Sequence, residues 1–524
     1  MAAGNSPRPL TNVWWQIATG CAAIVAGVGA AELTSSLIAQ NGSPILVVGA
    51  LVIDLVPGWV KEAVIAAFGT GDKAVLIISL AMVLLIGGAV AGILEYRRPP
   101  LGRLLIVLGG AVGIFAALTR SGASFMDAVP SIVAAVVGVF LLNLLLRRLH
   151  DREREAATSA QSPGSTPREA LTRRRFLVAT SASAGLGLVA LFAGQVVGAG
   201  YRAASAARSI FTLPKATVPA PPIPASASFD VPGLSPLITP NGDFYRIDTA
   251  LQLPGIDPAN WTLKITGMVD NEVTLSFDEL LKLPLEESRT TLTCVSNVVG
   301  GDLIGTATWL GYPIRHLLAQ AKPHADADMV LSRSQDGWTA STPIEALTDD
   351  RNAILAIGMN GAPLPIEHGY PVRMVVPGLY GYVSATKWVV QLDVTRFDKV
   401  TSYWTDRGWS EHGPIKLSSR IDVPSGGSVA AGDVTVAGVA WSQHTGISAV
   451  QVQVDEGDWH DATLAEALNI DTWRQWKWVW PATSGQHTLR ARATDADGLV
   501  QTAKLADVVP DGATGLDSIS VSVN

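Results

Sequence analysis

The 524 residues are 48% apolar and only 16% charged, with a mean hydropathy of +0.30. A water-soluble globular chain carries roughly 25% charged residues, so a wholly soluble protein is excluded. A net charge of −7 offers no basic field for a nucleic-acid backbone, and two cysteines, Cys21 and Cys294, exclude a disulfide framework, an all-cysteine zinc site and a cysteine-ligated iron–sulfur cluster. Residues 1–200 hold 15 Lys/Arg and 10 Asp/Glu, whereas residues 201–524 hold 23 and 35. One polypeptide thus joins a membrane-embedded part to an acidic, water-exposed part.

Apolar runs at 13–39, 74–94, 104–119, 128–146 and 176–200 approach the ~20 residues that a helix needs to cross a bilayer while satisfying its own backbone. Only the first carries a formal charge, Glu32. Segment 44–68 is broken by Asp54, Pro57, Lys61 and Glu62 and reads as re-entrant or interfacial, so residues 1–146 form a multi-span domain of four crossings. Arg97, Arg98 and Arg103 follow the second run, and Arg147, Arg148, Arg152 and Arg154 follow the fourth. Held on the cytoplasmic side, these joints place the turn at 120–127 outside. Residues 147–175, with eight arginines, read as a flexible cytoplasmic linker. It ends in Arg173-Arg174-Arg175-Phe176-Leu177 before the weakly hydrophobic helix 176–200, and resembles a twin-arginine export signal, although a basic cytoplasmic flank is common to membrane helices. A fifth crossing sends residues 201–524 to the extracytoplasmic side, where small residues at 203–207 permit cleavage. The sole histidine of residues 1–200, His150, rules out a bis-histidine haem between the helices. Glu32 and Asp54 fit pairing with backbone or an interfacial position better than an ion path.

Residues 201–240 form an arm with eight prolines between 214 and 240, expected to be stiff and extended. From 241 to 415 short strands alternate with brief helices: strands at 261–266, 289–293, 329–332, 353–358 and 372–376, and helices at 313–320 and at 276–283, the last capped by Ser276 with Glu279 three residues on. That mixture is an α+β domain. Residues 420–524 carry alternating strands at 434–440, 448–455, 476–480 and 487–494 and suggest an immunoglobulin-like β-sandwich. The fold class is therefore multi-domain: an α-helical membrane bundle, an α+β domain and a β-sandwich.

Cys294 closes an apparent strand and is followed by Val295-Ser296-Asn297 and the Gly300-Gly301 loop. A thiolate there can be a nucleophile or a metal ligand, although an isolated cysteine is most often a small buried apolar residue. The stretch 293–297, Thr308-Trp309-Leu310-Gly311-Tyr312-Pro313, Met359-Asn360-Gly361, His368-Gly369-Tyr370-Pro371-Val372-Arg373, Val376-Pro377-Gly378, Tyr380-Gly381 and Lys387-Trp388 resemble the sulfite oxidase family of molybdopterin enzymes. Asn241-Gly242-Asp243-Phe244-Tyr245-Arg246 is similar to the family's opening motif, and the β tail to its dimerisation domain. The resemblance runs from about 240 to 505, and nothing in 1–170 shares it.

The resemblance implies a Mo-molybdopterin cofactor with Cys294 as the metal's cysteine ligand. It also implies two-electron oxygen-atom transfer, with Cys294 and Arg246 as catalytic residues. It assigns Asn241, Phe244, Tyr245, Arg246, Asp336, His368, Arg373, Gly381, Tyr382 and Lys387 to the cofactor, the cations to its phosphate and His368 to its pterin through either ring nitrogen. Competing local readings are a surface turn for His368, a structural acidic partner for Arg373, an edge position for Lys387 and a hairpin turn for Asp336. Tyr312 and Tyr380 read as packing residues, and Trp473, Trp476, Trp478 and Trp480 as core or interface. Val298 and Val299 stand where sulfite oxidases place a substrate-binding arginine. A neutral sulfoxide thus fits better than sulfite, by several kcal/mol if that pocket is desolvated. No Cys-x-x-Cys-His haem motif is present, so a separate cytochrome or membrane carrier exchanges the electrons. The expected enzyme is a membrane-anchored, externally facing molybdenum oxidoreductase acting on a small molecule, with a possible homodimer through the β tail. The alternatives are a reductase of protein or small-molecule sulfoxides and a non-enzymatic binding module with a vestigial site.

Overall fold

The computed structural model describes residues 13–524 apart from 40–41, 58–59, 61–63, 65–66, 69–71, 121–122, 160–176, 179, 190–198 and 251–252. The chain divides into two compact units, residues 1–199 and 200–524. In the first, the helices are α1 (Val13–Ile38), α2 (Pro44–Leu55), α3 (Asp72–Arg97), α4 (Leu101–Leu118), α5 (Val129–Ser159) and α6 (Thr180–Val189). Four of them, α1, α3, α4 and α5, are long and apolar enough to cross a membrane. At 12 residues α2 spans about 18 Å, short of a ~30 Å hydrocarbon layer. The fifth expected crossing lies partly outside the described residues, where α6 is its described portion, and the arginine pair at 173–174 lies outside them too.

Small residues bring these helices together, as they do where lipid gives no hydrophobic drive to association. A Cβ at Gly20 would strike the carbonyl of Gly88, and one at Gly92 the carbonyl of Gln16, so α1 and α3 meet backbone to backbone. The acids Glu32 and Asp54 of these apolar helices are partnered. Ser43 Oγ donates to Glu32 at 2.7 Å while capping α2, and Asp54 pairs with Arg120 at 3.1 Å. Residues 147–159, read from sequence as flexible linker, instead prolong α5. Opposite charges one turn apart, such as Arg147 and Asp151, favour that helix, and Glu153 accepts a hydrogen bond from Tyr96 at 2.7 Å.

The second unit opens with α7 (Ala199–Ile210), whose Ala204 is buried among the core side chains Phe244, Trp309 and Tyr370. The proline-rich arm follows. It is extended but not free: Thr217 N donates to Leu285 O, Val218 bridges to Glu286, and Phe229 N reaches the Gln475 side chain. The α+β domain contains β1 (Thr262–Gly267), β2 (Val273–Ser276), β3 (Glu286–Thr293), β4 (Ile304–Pro313), β5 (Met329–Ser334), β6 (Thr339–Pro343), β7 (Ile354–Met359), β8 (Ala362–Pro363), β9 (Arg373–Val375) and β10 (Val389–Thr395). One sheet has the order β2-β1-β10-β5-β6 and a second β3-β4-β7-β8, with β9 also on β7. Short helices α8 (Phe277–Leu280), α9 (Ile314–Ala321), α10 (Glu345–Thr348) and α11 (Gly381–Ser384) join them, and α8 begins with the Ser276/Glu279 capping box.

Beyond it lies a two-sheet β-sandwich of β11 (Ser418–Val423), β12 (Gly427–Val429), β13 (Gly432–Trp441), β14 (Ile447–Val454), β15 (Trp459–Asp461), β16 (Thr463–Leu464), β17 (Arg474–Ala482), β18 (Gly485–Asp495) and β19 (Asp517–Val523). The sheets run β11-β13-β17-β16 and β12-β19-β18-β14-β15. Alternate residues point inward along each strand, which buries Val436, Trp476, Trp480, Leu489 and Val521 between the sheets.

Candidate active site

The threonine-rich run that leads to Cys294 suits a pleated strand, and β3 pairs with β4 until Thr293 faces Ile304. Cys294 N then donates to Leu303 O at 2.9 Å, and the chain folds back on itself. Asn297 explains the turn: its N–H donates to Cys294 O, and its side-chain oxygen accepts from Leu303 N at 2.9 Å. Gly300 completes the loop at φ +73°, a backbone state that favours glycine. Cys294 is a free thiol, 8% exposed. Burial pushes its pKa up, against which hydrogen bonds with Ser296 and the charge of Lys387 pull it down.

Three cationic or ionisable groups converge on this floor. Arg373, from β9, is 3% exposed. Its guanidinium donates to the carbonyls of Met374, His368 and Ala385 and lies over the Trp309 ring, 5.0 Å from its centroid. No carboxylate neutralises it among the described residues, so the acidic partner considered for it is not there. Burial lowers its pKa to about 10. Lys387 donates to Glu367 O at 3.0 Å and to Asp248 at 3.3 Å, and burial lowers it to about 8. At the rim Arg246 pairs with the same Asp248 at 2.9 Å and keeps much of its surface in water.

His368 is 2% exposed. Burial first, then Arg373 and Lys387, lower its pKa to about 3, so the ring is neutral. Its Nε2 lies 3.2 Å from the Asn241 carbonyl and therefore carries the proton. That leaves Nδ1 as a bare acceptor, and Nδ1 is buried without a partner. The either-nitrogen expectation narrows to Nδ1.

Asn241 supports this loop through its side chain, which donates to Met359 O and accepts from Asn360 Nδ2 at 2.8 Å. The Phe244 ring meets Trp309 and His368 edge-on at 5.7 and 5.6 Å and stacks on Tyr245. Tyr245 is raised by burial, with Cys294 and Arg373 as the charges that it feels. Its hydroxyl lies 4.0 Å, and Thr293 O 3.9 Å, from where a Cβ on Gly381 would sit. The nearest atom to that point is Ala385 Cβ at 3.5 Å, so Gly381 lies between the Cys294 strand and Tyr245 with room for no more than a methyl group. Asp336 sits in the β5–β6 hairpin turn, tied to the cation side because Gln335 N donates to Trp388 O. Desolvation raises its carboxyl, and Asp248 adds to the rise.

Tyr382 departs from the group. Its hydroxyl donates to Ser410 O at 2.8 Å and its ring packs against Trp409, so its side chain is committed elsewhere. Two participants were not read from the sequence. Asp248 bridges Arg246 and Lys387, and its i, i+2 spacing from Arg246 in extended chain was an available signal. Trp309 forms the platform under Arg373, and no local signal separates it from a core tryptophan. Val298 is 57% exposed. A missing charge at that position is therefore solvent-screened and worth ~1 kcal/mol or less, not the several expected for a desolvated pocket.

The donor set fits the cofactor that the resemblance implies. A buried guanidinium without a counter-charge and a half-neutralised ammonium ask for an anion, and an unpartnered imidazole acceptor asks for an N–H. Cys294 is the one cysteine of residues 201–524. A family model described as an oxidoreductase molybdopterin-binding domain matches residues 250–404. Mouse mitochondrial sulfite oxidase is 29% identical over 323 residues, covering 52% of this chain and 58% of the mouse protein. An uncharacterised oxidoreductase of Bacillus subtilis is 30% identical over 157 residues, 30% of this chain and 76% of that protein. The catalytic subunit of a protein-methionine-sulfoxide reductase from Campylobacter jejuni is 34% identical over 173 residues, 29% of this chain and 55% of its own. The chain thus spans a little over half the length of the sulfite oxidase that it matches.

Proposed function

This chain belongs to the oxidoreductases built on a molybdopterin-binding domain, and on that premise we propose a membrane-anchored, extracytoplasmic enzyme of sulfite oxidase type. It transfers an oxygen atom and two electrons on a small sulfur-containing substrate. The observation that carries this reading is the uncompensated Arg373 guanidinium buried near the lone thiol Cys294.

When bound, molybdopterin supplies a metal that changes by two electrons and exchanges oxygen. Cys294 would give that metal its protein ligand, bound as the thiolate. Lys387 lowers the cost of the resulting thiolate. Arg373 and Lys387 would hold the cofactor's anionic group, and the Nδ1 of His368 would accept an N–H from it. Arg246 remains at the rim, where its exposed guanidinium meets an incoming substrate. A protein redox partner or a membrane carrier exchanges the electrons. Export follows the arginine pair at 173–174, the four apolar helices anchor the chain, and the sandwich is an immunoglobulin-like dimerisation module.

A sulfoxide substrate, reduced rather than oxidised, is the second reading, favoured by Val298 and Val299 beside Cys294. Purified protein grown with molybdate is expected to hold about one molybdenum per chain and to turn over sulfite or methionine sulfoxide. A metal-free, inactive chain refutes both readings, and the preferred substrate decides between them.

A further inference from the structure

Strand β3 is the edge of its sheet; the arm bridges its start at Glu286, and past that point its outer side has no strand partner. The sandwich supplies one. Thr291 N donates to Asp471 O at 2.9 Å, Trp473 N donates to Thr291 Oγ1 at 2.8 Å, and the Asn469 side chain donates to Arg289 O. Closest to the thiol, Gln443 Nε2 donates to Thr291 O at 3.3 Å and to Thr293 Oγ1 at 3.1 Å. Gln443 is 5% exposed, and its amide oxygen has no donor. The amide is thus oriented by its N–H groups alone, toward the residue that precedes Cys294.

The sandwich also holds the chain after the thiol. Arg420 Nη1 donates to Gly301 O at 2.8 Å, and the guanidinium is itself fixed by Asp422 at 2.7 Å and Ser235 Oγ at 2.7 Å. Gly300 is pressed against the carboxylate of Asp517, which accepts from Ile421 N at 2.7 Å. Cys294 therefore lies between two points, Thr293 and Gly300-Gly301, that are both gripped by the second domain.

We propose that Gln443 and Arg420 are positioning residues for Cys294, and that the sandwich is a structural wall of the metal site in addition to any role between subunits. The proposal rests on Cys294 being the metal's ligand. It also makes a demand on the cofactor-free chain, because a strand end held at both sides opens rarely and shields its thiol.

Full-length protein carrying Gln443→Leu, Arg420→Lys or the control Lys504→Ala is compared with wild type. Alkylation of Cys294 in cofactor-free protein is followed by peptide mass, which separates it from Cys21. The loaded chains are compared by molybdenum content and by the thiolate-to-molybdenum charge-transfer absorption. Loss of the two Gln443 hydrogen bonds is expected to raise the alkylation rate about tenfold and to shift or weaken the absorption band. Arg420→Lys is expected to act in the same direction by severalfold, and Lys504→Ala to change neither. A lowered melting temperature with alkylation and absorption both unchanged overturns the proposal, because a merely stabilising domain gives that result. Should Gln443→Leu fail to fold, Arg420→Lys decides by the same two readouts. Absence of molybdenum from the wild type refutes the ligand reading instead, and the alkylation comparison still tests the grip.

Discussion

Replacing His368 by glutamine tests the electrostatics of the site without touching the thiol. The imidazole is 2% exposed, and its pKa falls from 6.5 to about 3, through burial first and then through Arg373, Lys387 and Arg246. Between those values the unfolded chain binds the proton and the folded chain does not, so stability rises with pH through that window and is lost on acidification. At 1.36 kcal/mol per pH unit, acidifying from pH 7 to pH 4 removes about 3 kcal/mol. For a unit the size of residues 200–524, with an unfolding entropy of roughly 2.1 cal/mol/K per residue, that is a fall of about 5 °C in melting temperature. Glutamine keeps a donor for the Asn241 carbonyl and an acceptor in place of Nδ1 but does not titrate. The assay is thermal unfolding of cofactor-free, full-length protein followed by tryptophan fluorescence, since 12 of the 15 tryptophans lie in residues 201–524. The gap between wild type and His368→Gln is expected to change by about 5 °C between pH 7 and pH 4, against the wild type. A gap constant to within 1 °C refutes a neutral, buried His368.

Cys294→Ser is expected to reduce bound molybdenum from about one per chain to below a tenth and to abolish oxygen transfer, with the melting temperature within about 2 °C of wild type; metal analysis and calorimetry check this. Lys387, lowered from 10.5 to about 8 mainly by burial, is neutral in the folded cofactor-free chain above pH 8. Affinity for the anionic cofactor is thus expected to fall up to tenfold per pH unit above 8, while stability of the cofactor-free chain rises from pH 8 to 10.5. Lys387→Met should flatten both trends in titrations of cofactor-free protein with molybdopterin. Val298→Arg is expected to raise kcat/KM for sulfite relative to methionine sulfoxide by no more than about fivefold, because the position is largely exposed; a hundredfold change would show that the loop closes over substrate.

The sequence was most readable where chemistry or capping is local. Cys294 stands out as the one cysteine of residues 201–524, the Ser276/Glu279 pair marks the start of α8, and the strand expected over 289–293 lies within β3. It was least readable where a side chain chooses between partners distant in sequence. Tyr382 sits within the motif, yet its hydroxyl goes to Ser410, 28 residues on. His368 shows two equivalent nitrogens until Asn241, 127 residues earlier, takes one of them. The helix over residues 147–159 was hidden because a charge-rich composition suits both a solvated linker and a helix laced with opposite charges.

The same distinction explains why the proline-rich arm reads from sequence as stiff and extended but without its partners. Proline fixes an extended backbone but says nothing about what that backbone lies against. Thr217 and Val218 bond along the start of β3, Ala220 N donates to the Glu287 carboxylate, and Ser235 N donates to Asp422 in the sandwich. Asp422 in turn orients Arg420, whose guanidinium also reaches Ser235 Oγ and the glycine loop after Cys294. The arm, the thiol-bearing strand and the sandwich therefore share one hydrogen-bond network. The arm has no ladder of its own, the outer side of β3 beyond Glu286 has no strand partner, and the Gly300-Gly301 loop, turned by Asn297, takes its outside contact from Arg420 of the sandwich. Together they supply those missing partners. The buried thiol of Cys294 is held in place where these three segments meet.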